Sequence, residues 1–159
     1  MSVVFERLTR RHDRTGFDCG VPVLNDYLRR RAMQDVRRML SSCFVCVGDG
    51  RVQAFYTLSA GQLASDDIPA RIAERLPRYP LPVARIGRLA VSVDCRGEGL
   101  GGACVADAAG RALRSDLRAF ALLVDAKDEN AEAFYRHLGF EHCGDGTEAL
   151  ILPLSTFPA

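Results

Sequence analysis

Lysine is almost absent from this 159-residue sequence: Lys127 is the only one among 21 basic side chains, and the rest are arginine. Long apolar runs are missing too. None approaches the roughly 20 residues that a helix needs to cross a bilayer, so no membrane association is expected. The N-terminus carries Glu6, Arg7, Arg10 and Arg11 in place of an apolar core, so no export signal is expected and the protein is read as cytoplasmic. No repeat, low-complexity tract or linker interrupts the chain. Residues 1–159 are therefore read as a single domain, long enough for a full core, and 48% apolar residues make it globular.

A second pair of closely spaced cysteines is also lacking. Cys43 and Cys46 have the separation of a metal-binding pair, but the other four, Cys19, Cys95, Cys104 and Cys143, offer no partner pair. Both lie in the apolar run 42–47, which reads as a strand. Residues three apart on a strand face opposite ways and cannot chelate one ion. No metal site is expected, and the cysteines are read as reduced, mostly buried thiols.

The net charge is only +1, but it is unevenly spread. Residues 1–40 hold nine arginines against five acids, and residues 71–96 hold six against two. Residues 97–159 reverse this, with ten acids against five basic groups. Arginine makes planar two-point contacts with phosphate that lysine does not, so a polyanionic partner fits; arginine-biased codon usage gives the same composition.

The pattern of elements is mixed α/β. Residues 2–9 read as a first strand and 18–22 as a turn. From Pro22, a residue suited to a helix start, helical spacing runs through Leu24, Tyr27, Leu28 and Ala32 to about Arg38. Strands at 42–47 and 52–60 flank Gly48-Asp49-Gly50, a hairpin signal. A short helix is expected at 68–76, then a proline-held connection. A strand over 83–93, a helix to about Leu117, a strand over 120–125 and a helix over 130–138 follow. Gly139 caps that helix, and strands at 140–143 and 148–153 close the chain. Antiparallel strands thus precede a strand–helix–strand unit.

The strongest signal is Arg96-Gly97-Glu98-Gly99-Leu100-Gly101-Gly102, between a strand and a helix. Glycine lets a backbone turn sharply and approach a ligand closely. The first amides of the helix lack internal acceptors and sit at the positive end of its dipole, where a pyrophosphate is the natural guest. The spacing is neither a P-loop, which needs a lysine, nor a Rossmann GxGxxG. A tight strand-to-helix connection without a ligand is the plain alternative.

The turn matches R-x-x-G-x-G and resembles the GNAT superfamily of N-acetyltransferases. Asn130-Ala131-x-Ala133-Phe134-Tyr135, followed by Leu138-Gly139-Phe140, is similar to that family's second cofactor segment. The resemblance implies a mixed central sheet of about six to seven strands flanked by about four helices, α/β or α+β in class. It implies acetyl-CoA as cofactor, released as CoA, with Arg96, Gly97, Glu98, Gly99, Leu100, Gly101 and Gly102 around the pyrophosphate. Leu89, Ala90 and Val91 would pair with pantetheine as if it were an added strand. Asn130, Ala133 and Phe134 complete the implied cofactor contacts, and Tyr135 would stand near the thioester sulfur.

Acetyl transfer needs a neutral amine, a stabiliser for the oxyanion and a proton for the departing thiolate. Tyrosine, with an ordinary pKa of about 10, stays protonated and suits the role of acid, which points to Tyr135. Backbone donors at residues 89–91 suit the oxyanion. Glu148, His137 and His142 are weak candidates for a general base. A site without one suits an α-amine, whose pKa of about 8 leaves much of it neutral, better than a lysine.

Phe17-Asp18-Cys19-Gly20-x-Pro22-x-Leu24-Asn25-x-Tyr27-Leu28, Ile86-Gly87-Arg88-Leu89-Ala90-Val91, Ala126-Lys127-Asp128 and Leu152-Pro153-Leu154 together resemble the TacT/AtaT-like toxins of bacterial type II toxin–antitoxin modules. This similarity covers about residues 5–155. It implies acetylation of the α-amine of aminoacyl-tRNA, arrest of translation, a ribbon-helix-helix antitoxin as partner and a homodimer. Arg29, Arg30, Arg37, Arg78, Arg85 and Arg88 are the candidate tRNA contacts. The competing readings are an acetyltransferase acting on a small amine or a protein N-terminus, and a CoA-binding interaction module without catalysis.

Overall fold

The computed structural model describes residues 3–158, so Ser2, in the expected first strand, lies outside them. Among the described residues, seven strands form one sheet in the order β1-β2-β3-β4-β5-β7-β6. The strands are β1 (Val4–Arg7), β2 (Ser42–Gly48), β3 (Arg51–Leu63), β4 (Leu81–Val91), β5 (Ala121–Asp125), β6 (Glu141–His142) and β7 (Ala149–Pro153). The helices are α1 (Pro22–Asp26) and α2 (Ala32–Arg37), joined by a π-helical stretch Tyr27–Arg31, then α3 (Ala70–Ala73), α4 (Leu100–Arg114) and α5 (Glu129–His137). Counting 22–37 as one helical run gives four helical regions, and the strand number reaches the upper end of expectation. The chain divides into two compact units, one holding residues up to Ser59 with Ile86–Ala108, the other Ala60–Arg85 with residues from Ala109.

In the first unit, β1, β2 and β3 run antiparallel. The β2–β3 turn works because Asp49 and Gly50 both take positive φ, 53° and 74°. Two successive left-handed residues give the turn whose twist matches the paired strands. Phe55 lies at the centre of this unit's core, fully buried. The Phe17 ring meets it edge-on at 5.6 Å, and the Tyr27 ring stacks on it at 6.3 Å. Leu28 and Ala32, both fully buried, complete the face that the helical run presents to β2 and β3. The π turn lets both Tyr27 and Leu28 reach this core. Ala32 N–H donates to the carbonyl of Tyr27, five residues back, which inserts one residue into the helical repeat.

The strand geometry of β2 separates its two cysteines. Cys43 packs in the Phe55 core. Cys46 neighbours Cys95 and Asp107 on the other face, and burial, then those neighbours, raises its thiol pKa. All six cysteines are free and buried.

In the second unit, β5 pairs in parallel with β4 over Val83–Arg85 and antiparallel with β7 over Ala121–Asp125. Leu123 and Ile151 pair across that ladder, and Leu63, Leu81 and Val83 join them in a second apolar core. The β4–β5 ladder ends at Arg85, so Leu89–Val91 lie beyond its last pair. The expected 68–76 helix shrinks to α3, because Pro69 forms its N-cap and the following turns open toward Pro77. No helix among the described residues is long and apolar enough to cross a membrane.

Two outcomes follow from these cores. Leu28→Ala should cost about 2–5 kcal/mol in urea unfolding, as for other fully buried leucines. Burial pushes the Cys43 thiol from 9.0 up to about 12. The folded state thus favours the neutral thiol. Its contribution to stability is complete below pH 9.0 and disappears as pH rises toward about 12. Unfolding midpoints measured across that range should fall, and native thiols should resist a thiol reagent until the chain is unfolded.

Candidate active site

The turn after β4 is built from short-range contacts. Val93–Cys95 forms one 3-10 turn, Arg96 is extended, and α4 begins at Leu100. Gly97 and Gly99 have φ of +82° and +77°, a region that L side chains rarely adopt. A Cβ placed on either would meet no atom within 4 Å, so both face open space. The Gly99 carbonyl accepts from Ala103 N–H at 3.0 Å, marking the start of the helical ladder. The amides ahead of Ala103 therefore belong to the first turn of a 15-residue helix, where no intrahelical acceptor exists. Open glycines and a helix dipole make a cradle that fits the pyrophosphate of a CoA thioester. Glu98 is exposed beside it, so only its backbone suits an anion.

Leu89, Ala90 and Val91 complete β4 just upstream. Arg88 N–H is taken by the Thr57 hydroxyl at 3.0 Å, and a Cβ on Gly87 would crowd that hydroxyl at 3.2 Å. Thr57 is buried, so its side chain gives Arg88 N–H a fixed acceptor. A strand that runs past the end of one ladder can accept an extended ligand as an added strand.

Arg88 rests face-on against Tyr27, its guanidinium carbon 3.7 Å from the ring centroid. The Tyr27 hydroxyl donates to Asp35 at 2.7 Å. Burial raises the pKa of Tyr27, and the Asp35 bond raises it further. Tyr27 and Arg88 border a cleft of about 570 Å³, lined also by Pro22, Asn25, Arg29 and Arg31 among others. That volume suits a small ligand or the end of a larger one.

The arginines singled out from sequence differ in what they already hold. Arg29 reaches back to the carbonyls of Arg14 and Phe17, so it braces the turn before α1. Arg30 pairs with Asp26 at 3.2 Å on an exposed helix face. Arg85 is engaged by Asp125. Arg37 and Arg78 are exposed. Arg88 is the one that combines exposure with a fixed orientation.

In the second unit, α5 carries the remaining candidates. Its start is set by Asp128, whose carboxylate accepts from Ala131 N–H at 2.8 Å. Asn130 and Ala133 are exposed, and Phe134 and Tyr135 are half-buried. The Tyr135 ring meets Phe134 and Phe140 edge-on at 5.0 and 5.3 Å, which fixes its plane. The base candidates gain nothing that suggests proton abstraction. His142 Nδ1 lies 2.7 Å from the Cys143 carbonyl, and His137 and Glu148 are exposed.

Sequence reasoning missed the roles of Asp18, Asn25 and Tyr27. Their signal was present, in the motif that opens at Phe17, but nothing in spacing alone says what such a motif holds.

The glycine turn and the end of β4 suit the cofactor of an N-acetyltransferase, and the sequence as a whole agrees. The acetyltransferase (GNAT) family model matches residues 6–140. The chain belongs to this family. It is 41% identical over 137 residues to a tRNA-acetylating toxin of Mycobacterium tuberculosis, covering 85% of this chain and 82% of that protein. It superposes on AtaT complexed with acetyl-methionyl-tRNAfMet with a TM-score of 0.87 and 26% identity, covering 98% and 96% of the two chains. A mutant of the AtaT toxin bound to the C-terminus of the antitoxin AtaR and to acetyl-CoA matches with a TM-score of 0.78 and 26% identity, over 98% and 96%.

Replacing Gly99 by valine tests the cradle. A side chain there both fills the open face and strains a left-handed residue by about 1–2 kcal/mol. CoA affinity measured by titration calorimetry should fall by about tenfold or more, while the protein still melts cooperatively.

Proposed function

We propose that this N-acetyltransferase acetylates the α-amine of aminoacyl-tRNA and so stops translation. One observation carries the reading: 41% identity over 85% of the chain to a tRNA-acetylating toxin. The likeness to AtaT with acetyl-methionyl-tRNAfMet supports it. The arginine-lined cleft beside β4 supplies a physical basis, because phosphate contacts of this type hold a tRNA end and weaken steeply as salt rises. Residues 1–159 act as one acetyltransferase domain.

Bound acetyl-CoA supplies an activated acetyl thioester. The amides of Gly97 to Gly102 would hold its pyrophosphate, and Arg96 supports their turn. The backbone of Leu89, Ala90 and Val91 aligns the pantetheine arm and offers N–H donors where negative charge develops. Asn130, Ala133 and Phe134 complete the cofactor contacts from α5. Tyr135 is the acid: as the thioester C–S bond breaks, its hydroxyl would supply a proton to the thiolate, and its ring is held by Phe134 and Phe140. Arg88 orients the acceptor, with Arg30, Arg37 and Arg78 as outer phosphate contacts. Arg29 and Arg85 act mainly through the backbone and Asp125 that they already hold. An α-amine with a pKa of about 8 is about half neutral near pH 8, so no side chain needs to deprotonate it before attack, and the proton lost as the C–N bond forms would pass to water.

The AtaT–AtaR complex supports an antitoxin as partner. A ribbon-helix-helix antitoxin, a homodimer and action in the cytoplasm complete the proposal.

The test is transfer of labelled acetyl from acetyl-CoA to total charged tRNA, with deacylated tRNA as control. Label confined to the charged pool, and released with the amino acid by mild alkali, is the expected result. Label on neither pool, from protein that binds acetyl-CoA, moves the acceptor to a small amine or a protein N-terminus. Tyr135→Phe should lower kcat about 10²- to 10⁴-fold with little change in the KM for acetyl-CoA. An unchanged kcat would remove Tyr135 from the acid role.

A further inference from the structure

The motif that opens at Phe17 has no part in the chemistry described above, yet its contacts all converge on the cofactor turn. The Asp18 carboxylate accepts two hydrogen bonds through Oδ1, from Gly20 N–H at 2.9 Å and from Asn25 Nδ2 at 3.0 Å. Asn25, buried on α1, accepts Cys19 N–H through its own Oδ1 at 2.8 Å. These three bonds fix the turn and leave the carbonyls of Asp18 and Cys19 to other partners. Asp18 O accepts Val93 N–H at 2.8 Å, and Cys19 O accepts from Arg96 Nη2 at 2.8 Å. Gly20 is part of the fit, because a Cβ there would lie 3.0 Å from Arg96 Nη2, and its φ is +84°. The stretch leading into the glycine cradle is thus pinned at Val93 and at Arg96, immediately before Gly97.

We propose that Asp18, Asn25 and Arg96 form a latch that positions the pyrophosphate cradle, with Arg96 acting through the Cys19 carbonyl instead of through the phosphate. Asp18 and Asn25 are positioning residues and touch no reacting atom. The latch rests on the reading that residues 97–102 hold the pyrophosphate. It gives Asn25 a second consequence, since this residue also lines the cleft beside Arg88 and so joins the acceptor side to the cofactor side within the first unit.

The test is CoA binding by titration calorimetry on the full chain, with amide hydrogen exchange of the unliganded protein beside it. Asp18→Ala and Arg96→Ala should each weaken CoA by about tenfold, and the double variant should be no weaker than the worse single one, because both remove the same device. Asp18→Asn should bind as the unaltered protein does, since an amide oxygen still accepts both bonds. Arg96 is exposed, so Arg96→Ala folds even if Asp18→Ala does not. Without any ligand, Arg96→Ala should speed exchange at Gly97–Gly102. In steady-state assays the KM for acetyl-CoA should rise while kcat at saturation stays within about twofold. Additive losses, or unchanged exchange in Arg96→Ala, would assign Arg96 directly to the phosphate and overturn the latch. Gly99→Val separates the two levels. If it abolishes CoA binding while the latch variants bind normally, the latch alone fails; if it too binds normally, the cradle has been misplaced.

Discussion

Two backbone carbonyls, those of Asp18 and Cys19, receive the chain at the point where β4 gives way to the glycine turn. A turn with glycines at positive φ is entropically loose in isolation. It becomes a defined cradle only if its entry is held, and here an amide and a guanidinium hold it within four residues. The turn that supplies those carbonyls is itself held from α1 by Asn25. The first unit can therefore be read as a set of supports for one strand end. Phe55 anchors Tyr27, Tyr27 carries Arg88, and Asn25 carries the turn that receives Arg96.

The electrostatics follow from that arrangement. Arg88 lies flat on an aromatic ring, which orients a planar cation without neutralising it. Arg29, Arg30 and Arg85 are occupied by carbonyls or carboxylates. An arginine-rich sequence thus holds few arginines that are both oriented and available for a ligand, and a net charge of +1 is compatible with a locally basic cleft. Asp18, with Arg29 and Arg96 near it, is a carboxylate whose pKa is lowered, first by the Gly20 amide and then by Asn25. It serves as an acceptor for the Gly20 amide and for Asn25.

In the second unit, the proposed acid sits on a short capped helix. Asp128 starts α5, and Phe134 and Phe140 hold the ring of Tyr135 from its edges. Nine residues are too few to make a stable helix alone, so its persistence comes from packing and from the cap. The acid proposed for the reaction is consequently as well placed as the apolar contacts around it.

The class of fold and the family were legible in the sequence because they rest on local rules. Glycine at Gly97 and Gly99, alternation along β2, the Asp49-Gly50 hairpin and the segment from Asn130 to Phe140 each carry their meaning within a few residues. Cys43 and Cys46 could be assigned to opposite faces from the strand period alone. The π turn at Tyr27–Arg31 could not be read, because one extra residue in a helix leaves no mark on composition and is stabilised only by what it lets Tyr27 and Leu28 reach. The same holds for the arginines: sequence grouped them by charge, and only tertiary contacts divided those that brace the backbone from the one stacked on Tyr27. Sequence by itself determined which residue types were present at the cofactor turn and on α5. Tertiary structure decided that Asp18 and Asn25, 78 and 71 residues upstream of Arg96, bear on that turn, because hydrogen bonds between distant segments exist only once the chain has folded.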